Sequence, residues 1–136
     1  MKIFVDTNIL IDVLTLRRDI SLTDGSARFL RLKGHKAFSL CVSASSMATC
    51  FYFLEKDKDA AGKMRMLTRN MTVVDSTGRD FAYALDSGLP DLEDAMQISS
   101  AMESQCEVIV TRDKKGFAGS RLPVFNPEEF IAKVSL

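Results

Sequence analysis

The chain has few of the residues that bind zinc or form disulfide bonds. It contains one histidine, His35, and three cysteines, Cys41, Cys50 and Cys106, with no C-x-x-C pair. This set argues against a zinc site. Because the cysteines adjoin apolar strands or lie in an apolar helix, we expect free, buried thiols and a reducing compartment, the cytoplasm.

Net charge and long apolar runs are also absent. The 18 basic and 18 acidic residues cancel, which argues against broad binding to nucleic acid through net charge but allows a local basic rim. No segment approaches the roughly 20 apolar residues of a membrane span. Asp6 and Asp12 interrupt the N-terminal apolar segment, so we expect no signal peptide. The 136 residues, 46% of them hydrophobic, predict a single globular domain over residues 1–136.

Apolar periodicity alternates between strands and helices along the chain. Strands are predicted at residues 2–5, 36–42, 71–74, 107–110 and 122–125. Helices are predicted at residues 8–16, 22–33, 43–54, 60–70, 78–87, 91–105 and 127–134. This alternation predicts an α/β fold, in which helices cover both faces of a five-stranded parallel sheet.

Acidic residues lie where two of these strands end. The first strand runs directly into Asp6, and Asp113 follows the strand EVIV by three residues. Because parallel strands end at the same edge of a sheet, we expect both carboxylates there. Asp94 lies near the start of the helix that precedes EVIV, which places it at the same edge, among apolar neighbours that disfavour a charge without a role.

Each acid also has a purely structural explanation. Asp6 is placed to cap the following helix, Asp91 and Asp94 resemble a capping pair, and Asp113 alone is typical of a surface loop. The convergence of three acids favours a site, since they repel one another unless a cation or a shared proton compensates. Carboxylate oxygens suit Mg²⁺ or Mn²⁺.

Four segments resemble the PIN domain family, and in particular bacterial VapC-type toxins. They are FVDTNILIDVL, VSASSMATCFYFLEK, DLEDAMQISSAMESQCEVIVTRDKKGF and LPVFNPEEFIA, which cover almost the whole chain. The resemblance implies a three-layer α/β/α sandwich around a five-stranded parallel sheet. It also implies an endoribonuclease that depends on Mg²⁺ or Mn²⁺ and hydrolyses RNA with metal-activated water, a homodimer, and an antitoxin protein that holds the toxin inactive.

The family's motifs match individual positions of this sequence. Its first, third and fourth acids match Asp6, Asp94 and Asp113, which are expected to bind the metal and to be catalytic. Supporting positions match Thr7, Asn8, Asp91 and Thr111. Basic residues expected either to contact RNA phosphates or to be plain surface charges are Arg17, Arg18, Arg112, Lys114, Lys115 and Arg121.

Two positions depart from the family pattern. The family's second acid is a glutamate in the helix after the second strand, and the matching residue here is Thr49. Glu55 lies about 240° around the helix from Thr49 and is no simple substitute. Relatives often carry an acid at the position of Gly116. We therefore expect a less negative pocket that binds metal more weakly.

Three functions follow from these residues. The leading hypothesis is the metal-dependent ribonuclease toxin, with one metal ion easier to support than two. Thr49 motivates an alternative, a catalytically degenerate domain that binds RNA or protein. A phosphotransfer enzyme with Asp6 as nucleophile is the third, although residue 8 is Asn and the D-x-D dyad of such phosphatases is absent.

Residues 51–54 (FYFL) and four methionines form the remaining apolar features of interest. Core packing is the expectation for the aromatic stretch and for Met47, Met64, Met66 and Met71, with a dimer or antitoxin contact as the alternative.

Overall fold

A computed structural model describes residues 1–15 and 20–134, without the side chains of residues 20–23. Its sheet is five-stranded and parallel, in the order β3-β2-β1-β4-β5. The strands are β1 (Lys2–Val5), β2 (Ser39–Ser43), β3 (Thr72–Val74), β4 (Val108–Val110) and β5 (Val124–Phe125). The predicted fold class is confirmed. Strand β5 is shorter than predicted because only Val124 and Phe125 pair with the three-residue strand β4.

Helices connect the strands, largely where periodicity predicted them. They are α1 (Thr7–Thr15), α2 (Ile20–Leu30), α3 (Ala44–Phe53), α4 (Ala60–Thr68), α5 (Gly78–Asp86), α6 (Leu92–Glu103) and α7 (Pro127–Val134). Short 3-10 helices occupy Arg31–Gly34 and Lys114–Phe117. Ser43 caps α3, since its side chain accepts a hydrogen bond from the backbone N–H of Ser46 at 3.3 Å.

The alternation of side chains along β1 divides the core into two layers. Ile3 and Val5 pack into the larger layer with residues of α1, α2, α3, α4 and α7. Phe4 points to the opposite face and packs with Ile98 of α6, and Tyr83 of α5 packs against the same layer. The sheet therefore lies between two helical layers, which is the predicted three-layer sandwich.

Helix α6, which carries the acidic segment, is anchored to α5 by a buried carboxylate. Asp80 is 1% exposed and accepts hydrogen bonds from Ser99 Oγ at 2.6 Å and Ser100 Oγ at 3.1 Å. Asp80 also accepts from the backbone N–H of Thr77, which completes the capping box of α5. These bonds fix the position of α6, and with it the acids near its N-terminus.

The core prediction for the aromatic stretch is wrong for three of its four residues. Leu54 is buried, but Phe51, Tyr52 and Phe53 are 48%, 65% and 42% exposed. Consecutive helical residues point about 100° apart, so one packing face does not bury three in a row.

The methionine and cysteine predictions are largely confirmed. Met47, Met64 and Met71 pack against the larger core layer, whereas Met66 is 69% exposed. The three cysteines are free and buried. Among the helices of the described residues, none has the length and apolarity needed to cross a membrane.

Candidate metal and active site

The ends of β1 and β4 bring two predicted site residues into contact. Backbone hydrogen bonding continues one residue past each strand. The N–H of Asp6 donates to the carbonyl oxygen of Val110 at 3.0 Å, and the N–H of Thr111 donates to the carbonyl oxygen of Phe125 at 2.9 Å. Asp6 and Thr111 are therefore neighbours at the carboxyl edge of the sheet, where Thr111 Oγ1 donates to Asp6 Oδ2 at 2.6 Å. This hydrogen bond joins the residue that follows β1 to the residue that follows β4.

Asp6 is a buried carboxylate held by side chains from two other elements. Besides Thr111, Gln97 Nε2 of α6 donates to its Oδ1 at 2.9 Å, and only 1% of the residue is exposed. Burial raises the pKa of Asp6, while hydrogen bonds from Thr111, Gln97 and the backbone N–H of Asn8 oppose that rise. The bond from Asn8 shows that Asp6 both caps α1 and faces the site, so the two explanations of this residue are compatible.

Asp91 and Asp94 differ in their surroundings at the start of α6. Asp91 is the N-cap, since its Oδ1 accepts a hydrogen bond from the backbone N–H of Asp94 at 2.9 Å. Asp94 is half-buried, and its pKa is raised to about 7, chiefly by burial and then by the negative charges of Asp6, Asp91, Asp113 and Glu93. The raised pKa therefore reflects both the burial of Asp94 and the repulsion between the acids gathered here.

Asp113 joins this group from the turn after β4. Its backbone N–H donates to Thr111 Oγ1 at 2.9 Å, and its Oδ1 accepts from the backbone N–H of Gly116 at 3.2 Å. A Cβ at position 116 would collide with the carboxylates of both Asp94 and Asp113. The glycine therefore leaves space that these two carboxylates occupy, and an acidic side chain there would displace them.

One cavity of about 240 Å³ collects the predicted acids. Its lining comprises Asp6, Thr7, Asn8, Ile11, Thr49, Phe53, Asp91, Glu93, Asp94 and Asp113. Larger cavities of about 580 and 400 Å³ lie elsewhere and include none of the predicted catalytic residues. The structure thus brings together Asp6, Asp94 and Asp113, with Thr7, Asn8 and Asp91 beside them and Thr111 directly behind Asp6.

Two residues of this site, Glu93 and Gln97, were missed by sequence reasoning. Glu93 accepts hydrogen bonds from Thr7 Oγ1 at 3.0 Å and from Thr49 Oγ1 at 3.2 Å. Gln97 is buried, receives the backbone N–H of Thr7 at 3.3 Å and donates to Asp6. Their spacing of four residues, which places both on one helix face, was the available signal.

The prediction that Arg112 contacts RNA phosphate is contradicted by its burial. Its side chain is 6% exposed, and its Nη1 lies 2.5 Å from Glu128 Oε2 while its Nε lies 3.8 Å from Asp12 Oδ2. It also donates to Ser26 Oγ from Nη2 at 3.1 Å. A guanidinium held this way inside the protein is not free to meet a substrate.

The other basic candidates have different positions. Lys114 is exposed and forms an ion pair with Glu129 at 3.1 Å. Lys115 and Arg121 are exposed. Arg17 and Arg18 lie outside the described residues. Contact of Lys114 and Lys115 with phosphate stays a prediction.

The donor set of the cavity fits a hard divalent cation. Within residues 1–15 and 24–134, no three acidic, histidine or cysteine side chains converge as a ready-made coordination sphere. Mg²⁺ commonly keeps several waters and takes only one or two protein carboxylates. The carboxylates of Asp94 and Asp113 both lie beside Gly116, and Asp6 lines the same cavity. The one or two carboxylates that Mg²⁺ needs are therefore available.

Fold and site together define an α/β domain with an acidic cavity at the carboxyl edge of its sheet. The family model of the PIN domain matches residues 2–115. The chain therefore belongs to the PIN domain family.

Known proteins similar to this chain agree with that assignment. Ribonuclease VapC1 of Aquifex aeolicus (strain VF5) is 26% identical over 139 residues, covering 97% of this chain and 94% of that protein. A toxin–antitoxin complex from Klebsiella pneumoniae superposes with a TM-score of 0.65 at 21% identity, over 91% of this chain and 96% of the other. Mycobacterium tuberculosis VapC20, described as a toxin that cleaves the sarcin–ricin loop, gives a TM-score of 0.64 at 16% identity, over 85% of this chain and 93% of VapC20. Structural similarity at these identities supports the fold.

Proposed function

We propose that this chain is a metal-dependent endoribonuclease and the toxin of a toxin–antitoxin pair. The observation that carries the proposal is the acidic cavity that brings Asp6, Asp94 and Asp113 together at the carboxyl edge of a PIN domain. The similarity to Ribonuclease VapC1 along 97% of the chain supports the same activity.

In this proposal Asp6, Asp94 and Asp113 hold one Mg²⁺ or Mn²⁺. A bound cation of this kind supplies Lewis-acid stabilisation of phosphate charge and water of lowered pKa. Thr111 and Gln97 hold the Asp6 carboxylate in one orientation through hydrogen bonds at 2.6 and 2.9 Å.

The remaining predicted residues have supporting roles. Asp91 fixes the start of α6, and therefore Asp94, through its bond to the Asp94 N–H. Thr7 and Asn8 line the cavity beside Asp6. Lys114 and Lys115 directly follow Asp113 and are exposed, which supports their assignment as contacts for RNA phosphates. Arg17 and Arg18 are assigned to the same role from the sequence alone.

We also propose a protein antitoxin and a homodimer as partners, and the cytoplasm as the location. The similarity to a toxin–antitoxin complex supports the antitoxin. The exposed aromatic residues at the end of α3 support an interface. Three free thiols are typical of a reducing compartment.

An alternative function follows from Thr49, which stands where the resemblance to VapC-type toxins implies a glutamate. If that loss is not compensated, the chain binds RNA or a protein partner without cleaving RNA. Binding of Mn²⁺ separates the alternatives, because a degenerate domain does not need the cation.

The test of the leading proposal is RNA cleavage by the wild type and by Asp6→Asn. Total RNA and a sarcin–ricin loop oligonucleotide serve as substrates, with Mn²⁺ or with a chelator. We expect wild-type cleavage that needs the cation and a loss of about 100-fold or more in Asp6→Asn, since even residues that only orient metal ligands cost about 10–100-fold.

Asp86→Asn is the matched control, because Asp86 is an exposed aspartate at the end of α5, outside the cavity. It should cleave like the wild type. Equal cleavage by the wild type and Asp6→Asn refutes the assigned site.

A further inference from the structure

Thr49 occupies the position at which the resemblance to VapC-type toxins implies a glutamate, yet a carboxylate lies beside it. Thr49 Oγ1 donates a hydrogen bond to Glu93 Oε2 at 3.2 Å. Thr49 belongs to α3, whereas Glu93 comes from the first turn of α6. The negative charge missing from α3 is therefore supplied to the same place by another helix.

The Glu93 carboxylate is fixed in that place by two hydroxyl groups. Thr7 Oγ1 of α1 binds one oxygen at 3.0 Å, and Thr49 Oγ1 binds the other. Glu93 is half-buried and lines the same cavity as Asp6, Asp94 and Asp113. A carboxylate that accepts two such bonds and still faces a cavity retains lone pairs for a further partner.

The hydrogen-bond chain also connects Glu93 to the buried Asp6. Thr7, which donates to Glu93 from its hydroxyl, donates from its backbone N–H to Gln97, and Gln97 donates to Asp6. One face of α6 thus places Glu93 and Gln97 against the end of β1. This arrangement orients the Glu93 carboxylate relative to Asp6 rather than leaving it as a loose surface charge.

We infer that Glu93 replaces the missing acid of α3 and is a further carboxylate of the cation site. This inference rests on the proposed metal-dependent function. A cation in the cavity is held by Glu93 together with Asp94, Asp113 and Asp6, directly or through water. The cation site then has four carboxylates, as many as it would have with a glutamate at position 49 in place of Glu93.

A purely structural role for Glu93 makes a different prediction. Acids in the first turn of a helix stabilise it by about 0.3–1 kcal/mol through the helix dipole. Such a role changes thermal stability but leaves cation affinity unaltered. Cation binding is therefore the deciding measurement, and it does not depend on an RNA substrate.

The experiment is calorimetric titration of Mn²⁺ into four forms of the full chain. These are the wild type, Glu93→Gln, the double variant Thr49→Glu with Glu93→Gln, and Glu103→Gln. Glutamine keeps the shape of Glu93. Its carbonyl oxygen accepts from one of the two threonines and its amide group donates to the hydroxyl oxygen of the other, so the substitution removes mainly the charge. Glu103 lies at the other end of α6, 3.9 Å from Arg79, and is the matched control.

We expect Glu93→Gln to weaken Mn²⁺ binding by about 10-fold or more and Glu103→Gln to bind within about 2-fold of the wild type. Moving the carboxylate back to α3 in the double variant should restore the affinity to within about 3-fold. A structural role for Glu93 would not produce this rescue. Circular dichroism melting of each variant verifies that it is folded.

Two results overturn the inference while leaving the proposed function intact. One is wild-type affinity in Glu93→Gln when Asp6→Asn has lost binding. The other is a folded double variant that stays as weak as Glu93→Gln. If the wild type binds no Mn²⁺, both the inference and the proposed function fail.

Discussion

At the scale of the residue, Asp94 shows what gathering acids in one cavity does to the protein. Its pKa is about 7 in the folded chain against an ordinary value of 3.8, because burial and the charges of Asp6, Asp91, Asp113 and Glu93 disfavour its ionised form. The folded state therefore binds the Asp94 proton more tightly than the unfolded state does. Its stabilising contribution is complete below pH 3.8 and is lost as the pH rises through 7.

Asp94→Asn should therefore stabilise the metal-free protein at pH 8. The asparagine removes the ionised form that the folded state disfavours, and after allowance for solvent screening at this half-exposed site we expect a gain of about 1 kcal/mol. Urea unfolding in the presence of a chelator measures the change. The gain should shrink as the pH falls from 8 to 4, since the wild-type carboxyl group becomes protonated over that interval.

Asp86→Asn is the control for this prediction, because its carboxylate is exposed and outside the cavity. It should alter stability by less than about 0.5 kcal/mol at either pH. A metal-free Asp94→Asn protein that is less stable than the wild type at pH 8 would show that Asp94 is stabilised, not strained, by its surroundings.

At the scale of the element, the sequence predicted what depends on local pattern and topology. Alternating periodicity predicted the strands, and parallel strand ends predicted that Asp6 and Asp113 meet at one edge. The contact between Glu93 and Thr49 was not predictable in this way, because it depends on how α3 and α6 pack against each other. The burial of Arg112 likewise depends on where the last helix, α7, packs.

The end of α3 exposes aromatic side chains to solvent. Phe51, Tyr52 and Phe53 are all substantially exposed, and the rings of Tyr52 and Phe53 pack edge to face at 5.8 Å. Water-exposed aromatic groups of this kind are typical of interfaces. Phe53 also lines the acidic cavity, so an interface formed here would border the site.

Tyr52→Lys should shift the proposed homodimer towards monomer. Tyr52 is 65% exposed, so lysine should be tolerated in the monomer, whereas burying its charge between two copies is unfavourable. Sedimentation velocity over a range of concentrations measures the change, and we expect dimer dissociation to rise about 10-fold or more. Phe81→Lys is the matched control, because Phe81 is an aromatic residue on α5 with 48% exposure.

The control protein should sediment like the wild type. Dissociation of Phe81→Lys together with an intact Tyr52→Lys dimer would place the interface on α5. A wild type that is monomeric at every concentration would remove the homodimer from the proposal.

At the scale of the whole molecule, Arg112 connects parts of the chain that are distant in sequence. It follows β4 and lies beside Asp12 of α1, Ser26 of α2 and Glu128 of α7. Asp12 is completely buried, so its charge depends on the neighbouring guanidinium. Removing one partner from a buried ion pair costs more than the pair contributes, because the remaining charge stays away from water.

Arg112→Ala should therefore destabilise the protein by about 3–5 kcal/mol, which urea unfolding measures as a lower midpoint. Lys115→Ala is the comparison, since Lys115 is exposed three residues further along. It should change stability by less than about 0.5 kcal/mol while weakening RNA binding if it contacts phosphate. The opposite pattern is an Arg112→Ala protein that has wild-type stability but binds RNA more weakly. That result would show that Arg112 contacts RNA. The expected pattern instead makes Arg112 a residue that holds α1, α2 and α7 together.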